Sequence, residues 1–120
     1  MTLEEIAGKL AYFHEQIHMI HWETRSFAEH KATGAFYEFI QDFKDDVIEK
    51  LMGYTGKRVK GMKIDAIKPN ADSMTITDEV LMFAKDLMDF ADANSYLDVS
   101  NMAQSLSGEA AKTKYLLTLS

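Results

Sequence analysis

Apolar residues recur at helical spacing in four stretches of this chain. Leu3, Ile6, Leu10, Phe13, Ile17 and Ile20 follow one another at intervals of three and four, which lines one stripe of a helix. Thr2-Leu3-Glu4-Glu5 has capping-box spacing at its start, and the turn Thr24-Arg25-Ser26 follows it. Phe36, Ile40, Phe43, Val47, Leu51 and Tyr54 make a second stripe, with Gly34 weakening its beginning and Gly53 and Gly56 its end. Ile76, Val80, Phe83, Leu87 and Phe90 make a third, opened by Thr75 to Thr77 and closed by Asn94-Ser95. Met102, Leu106, Ala110, Thr113 and Leu117 make the fourth, with Lys112 and Lys114 near its carboxyl end. The pattern predicts helices over about 3–23, 27–54, 76–93 and 97–119.

Between Lys57 and Met74 the periodicity disappears, and Lys57, Arg58, Lys60, Lys63 and Lys68 collect with Gly61, Pro69 and Asn70. A connector of about 18 residues reaches about 60 Å when extended. Two helical hairpins joined by one long crossover predict an all-α four-helix bundle, a single domain over 1–120 with its second and third helices parallel. One proline, six glycines and eight methionines in 120 residues agree with a helical chain and leave no room for a turn-rich β domain.

Thirteen basic against nineteen acidic residues give a formal charge of −6, which disfavours nucleic acid and anionic membranes as partners. The Lys57 to Lys68 cluster has no interleaved aromatic residue on which bases would stack. No apolar run approaches the roughly 20 residues that span a bilayer, and no basic segment precedes an apolar one at the start, so an unexported protein is expected. With no cysteine, any metal must rest on histidine, carboxylate or backbone oxygen.

The chemistry-bearing residues concentrate in the first two helices. His14, His18 and His21 are spaced i, i+4, i+7 on one side of the first helix, with His30 shortly beyond. At 100° per residue His21 lies roughly 50° and His18 roughly 110° from the centre of the apolar stripe, so the row meets a neighbour rather than the bundle interior. Glu38, Asp42, Asp45 and Glu49 recur at four, three and four and fall within roughly 60° of arc, pointing away from the apolar stripe of their own helix. Such a row is also what an ordinary solvated helix face looks like, and the histidines equally suit a subunit contact. Trp22 and the phenylalanines read as packing groups, and the methionines as core filler. Mixed imidazole and carboxylate donors suit iron, manganese or zinc. The di-iron ferritin arrangement, with all ligands pointing into one bundle, does not fit, because the third and fourth helices contain no histidine.

The segment His21-Trp22, Phe27-Ala28-Glu29-His30, Tyr37, Asp45 and Glu49 resembles the motif of the Dps family, the mini-ferritins that protect DNA in starved cells. In that family the second histidine follows the first after twelve residues; here it follows after nine, and the interval to Asp45 shortens by the same three. The chain is also similar to small ferritin-like proteins of tailed phages. The resemblance implies an iron site at a dimer interface, with His21 and His30 from one subunit and Asp45 and Glu49 from its two-fold mate, and His14, His18, Glu38 and Asp42 as further candidates. It implies a ferritin-like four-helix bundle, ferroxidase activity, a homodimer or larger homo-oligomer, and a cytoplasmic setting in a bacterial or phage-infected cell. Where the family carries another carboxylate one turn after the second histidine this chain has Gly34, leaving Glu29 or Glu38 as replacements, and the family's basic tail is missing. The alternative is a non-catalytic helical oligomer, a phage accessory or virion-associated protein, whose acidic and histidine-bearing faces are contact surfaces.

Overall fold

The apolar stripes close into one core. The computed structural model describes residues 1–119 and contains four helices: α1 (Leu3–Glu23), α2 (Phe27–Thr55), α3 (Ser73–Ala93) and α4 (Leu97–Leu117). Ser120 lies outside the described residues. Among those residues there is no strand, and the architecture is a four-helix bundle. Ile6, Leu10, Phe13, Ile17 and Ile20 of α1 meet Phe36, Ile40, Val47 and Leu51 of α2, with Val80, Phe83 and Leu87 of α3 and Ala103, Leu106 and Ala110 of α4 completing the interior. Helix α1 packs on α2 and α3 on α4, while α2 also faces α4 and α1 faces α3.

The direction of each helix follows from its end contacts. Lys50 near the end of α2 pairs with Asp98 at the start of α4, and Lys114 near the end of α4 pairs with Asp78 at the start of α3. Neighbours in the ring are therefore antiparallel, and α2 and α3 run parallel across the diagonal.

The crossover, residues 56–72, runs the length of α1 in the same direction as that helix. Glu4 accepts from the Lys60 N–H, Gln16 both donates to the Lys68 carbonyl and accepts from the Lys68 N–H at 2.9 Å, and Glu23 accepts from the Asn70 N–H. Gly8 lets the strap lie close: a Cβ there would collide with the Lys63 carbonyl oxygen. The buried Gln16 amide thus replaces water as the partner of a connector backbone that has no secondary structure to satisfy it.

Two helix boundaries depart from the pattern. Helix α3 starts at Ser73 rather than 76, because the Asp72 carboxylate accepts from the Thr75 N–H and hydroxyl and so caps a turn that the Thr75-Ile76-Thr77 run conceals. Helix α4 stops at Leu117 rather than 119, where the Thr118 and Leu119 amides donate three residues back and tighten the chain out of the α-helix. The capping box at Thr2 and Glu5 forms as its spacing requires.

Candidate functional site

Helices α1 and α2 meet at a three-residue turn, with the Ser26 hydroxyl capping α2 by accepting from the Glu29 N–H. This tight reversal brings His21 and His30 face to face. Their rings stack with centroids 3.7 Å apart and planes 18° from parallel. His21 Nδ1 lies 2.7 Å from the His30 carbonyl oxygen, and His30 Nδ1 lies 3.0 Å from the His21 carbonyl oxygen. A carbonyl oxygen only accepts, so each Nδ1 carries the proton and donates. In the neutral ring the lone pair then sits on Nε2, the arrangement that metal-ligating imidazoles take when a backbone carbonyl fixes the tautomer. The Thr33 hydroxyl, itself donating to the Glu29 carbonyl at 2.7 Å, lies 3.3 Å from His21 Nδ1 and supplements the pair.

Gly34 makes this packing possible. A Cβ at that position would sit 2.9 Å from Cε1 of His21, closer than side chains tolerate. Gly34 therefore provides space for an imidazole. Of the two replacements, Glu29 is occupied elsewhere: its carboxylate accepts from the Ser73 hydroxyl at 2.6 Å and ties the start of α3 to the start of α2. Glu38 is exposed.

The other two histidines continue up α1 against Tyr37 of α2. His18 lies on Tyr37 at 4.2 Å between centroids and on Trp22 at 4.0 Å, and His14 meets the Tyr37 ring edge-on at 5.5 Å. Burial, followed by the neighbouring His14, pushes the His18 pKa down from its ordinary value. His14 Nδ1 donates to the Glu15 carboxylate at 2.9 Å, leaving Nε2 buried and, among the described residues, without a hydrogen-bond partner. Trp22 is 63% exposed and Phe27 beside the turn 75%, so neither belongs to the core that their apolar character suggests.

Glu38, Asp42, Asp45 and Glu49 are all exposed on α2. Asp42 borders a shallow groove with Phe39, Phe43 and Met102 toward α4, and Asp45 borders another with Ile48, Val59 and Met62 under the crossover. Asp45 lies about 22 Å farther along α2 than His30, at 1.5 Å per residue. One copy therefore brings His21 to His30 and leaves the acids apart from them. Among the described residues no group of three or more histidine, aspartate or glutamate side chains of one chain comes together to hold a metal ion. No described helix is long and apolar enough to cross a membrane. Sequence reasoning missed Thr33 and the role of Gly34, whose signal is only their place one turn past His30.

Comparison with known proteins adds a family and a relative. A family model described as "Family of unknown function (DUF5856)" matches residues 21–117, a span that includes His21, His30, Asp45 and Glu49. The chain is similar to an "Uncharacterized 14.6 kDa protein in mobD-ri intergenic region" of Enterobacteria phage T4, 28% identical over 120 residues that cover 97% of this chain and 88% of that protein. No solved structure matches it.

Proposed function

We propose that this chain, which belongs to the DUF5856 family of unknown function, is a phage-type homodimer that binds ferrous iron between subunits in the manner of a mini-ferritin. The observation that supports this reading is the reciprocal bonding of His21 and His30, whose Nδ1 atoms donate to backbone carbonyls and leave each Nε2 as the ring atom open to a metal. Stacked with planes 18° from parallel, the two rings cannot both direct their in-plane lone pairs at one ion, so each imidazole offers a single donor, an incomplete set for iron, manganese or zinc. Asp45 and Glu49 face away from their own core, and a two-fold axis would supply them from the second copy, making two equivalent sites. Exposed Trp22 and Phe27 flank the histidine pair and give such an interface apolar area to bury.

The chain's part is to orient the imidazoles and supply charge. The backbone carbonyls of residues 21 and 30 hold the tautomers, and Gly34 admits the His21 ring. The carboxylates of the second copy would offset the charge of the ion. Ferrous iron held there is the substrate, giving one electron per ion to peroxide or oxygen. Anaerobic titration with ferrous iron followed by air is expected to give stoichiometric oxidation, lost in His21→Ala combined with Glu49→Ala.

A second reading is a non-catalytic helical oligomer of the phage. It draws on the lack of a three-ligand cluster within one copy among the described residues and on the uncharacterised phage relative. In that case association is unchanged by chelators and by the same double substitution, and no iron is oxidised.

A further inference from the structure

A cavity lies at the opposite end of the bundle from His21, about 27 Å away along α1 at 1.5 Å per residue. It measures about 840 Å³ and opens between the amino end of α1, the carboxyl ends of α2 and α3, and the start of α4. That volume falls within the roughly 300–1,000 Å³ range of small-molecule sites. Its lining is mixed: Leu3 of α1, Phe90 of α3 and Tyr96 before α4 give apolar surface, with Ile6 and Leu51 buried behind them, beside Thr2, Glu4, Thr55 and Asn94. Its rim is cationic, carrying Lys57, Arg58 and Lys60.

The basic side chains are held at this mouth by the backbone. Gly56 takes a left-handed conformation (φ 70°) that ends α2 and turns the chain back over the end of the bundle. Four residues later the Lys60 N–H donates to the Glu4 carboxylate at 2.9 Å, which fixes the strap. Glu4, the one acid on the wall, is thus engaged with backbone. Among the described residues none of the three cationic side chains forms an ion pair, although six acid–base pairs form elsewhere. A chain of net charge −6 that gathers three cations without ion pairs around one hollow has a local charge opposite to its overall one.

We infer that this cavity binds a free single-chain anionic amphiphile, with a phosphate or carboxylate head among Lys57, Arg58 and Lys60 and an alkyl or aryl tail against the half-buried Leu3, Phe90 and Tyr96. The site is independent of the histidine pair and stands whether or not that pair binds metal. A membrane is a poorer source of the same head group, because the acidic remainder of the surface repels an anionic bilayer.

Calorimetric titration of the full chain with octyl phosphate, below its micellar concentration, is the test, with octanol and inorganic phosphate as the two halves of the ligand. The expected result is saturable one-to-one binding of octyl phosphate, at least tenfold tighter than either half. Lys57→Glu with Arg58→Glu, both exposed positions, should weaken it at least tenfold while circular dichroism stays helical. Flotation with phosphatidylglycerol vesicles should leave the protein unbound. Equal binding of inorganic phosphate or octanol, indifference to the charge reversal, absence of binding, or co-flotation with the vesicles would each overturn the assignment.

Discussion

The Nδ1 atom of His21 bonds the backbone carbonyl of His30, and the Nδ1 atom of His30 bonds the backbone carbonyl of His21, across a turn of three residues. The two rings therefore fix one another's tautomers without any acidic partner. The rings stack with centroids 3.7 Å apart and planes 18° from parallel.

Gly34→Ala tests how strictly this pair is placed. The substitution removes a helix-interior glycine, worth up to about 1 kcal/mol, and drives a methyl into Cε1 of His21. Stability is expected to stay within about 1 kcal/mol of the parent because the two effects oppose each other. Ferrous affinity should fall 10- to 100-fold, the usual cost of disturbing the groups that orient a ligand. Chemical denaturation and metal titration of the same sample measure both.

Glycines in the same bundle should respond in opposite directions. Gly8→Ala places a methyl on the Lys63 carbonyl and is expected to cost about 1–3 kcal/mol by lifting the crossover from α1. Gly108→Ala meets nothing within 4 Å on α4 and should stabilise by about 0.5–1 kcal/mol. Urea unfolding midpoints of the two variants discriminate the cases.

Gln16→Leu should cost about 2 kcal/mol, because the Lys68 amide and carbonyl both lose their partner beneath the strap. Hydrogen exchange at the Lys68 amide is expected to accelerate, while exchange at Leu87 in the core follows global stability only.

How much of this was legible depends on the range of the interaction. The four stripes and the crossover follow from a period near 3.6 and its interruption at Lys57, both local properties. The cap at Asp72 is local too, but Thr75 and Thr77 compete for the same role in the sequence, and only the backbone path decides. Gly8 and Gly34 look like weak points of helices, because the groups that require them, the Lys63 carbonyl and the His21 ring, belong to other segments. The pairing of His21 with His30 was within reach, being set by a short turn between two strongly periodic helices. Within a copy Asp45 and Glu49 lie about 22 and 28 Å farther along α2 than His30, so no local pattern in the sequence relates them to the pair.

The Lys50–Asp98 pair gives a pH dependence of defined sign. The Lys50 ammonium, 2.6 Å from the carboxylate, holds the Asp98 pKa below its ordinary value. A depressed carboxylate contributes stability that is present above its unfolded value, about 3.9, and is lost as pH falls through the folded one. Asp98→Asn should thus melt below the parent at pH 6, and the two should converge as pH approaches 2. The Asp98 amide keeps its own partner, the Tyr54 hydroxyl, in both.

The decisive measurement mixes two inactive chains, one carrying His21→Ala and His30→Ala, the other Asp45→Ala and Glu49→Ala. Each alone should remain helical and fail to oxidise iron. Refolded together in equal amounts, half the dimers are mixed and each regains one intact site, so about a quarter of the parental capacity should return. No recovery from dimers confirmed by mass, or full oxidation by either variant alone, would contradict a site shared between subunits.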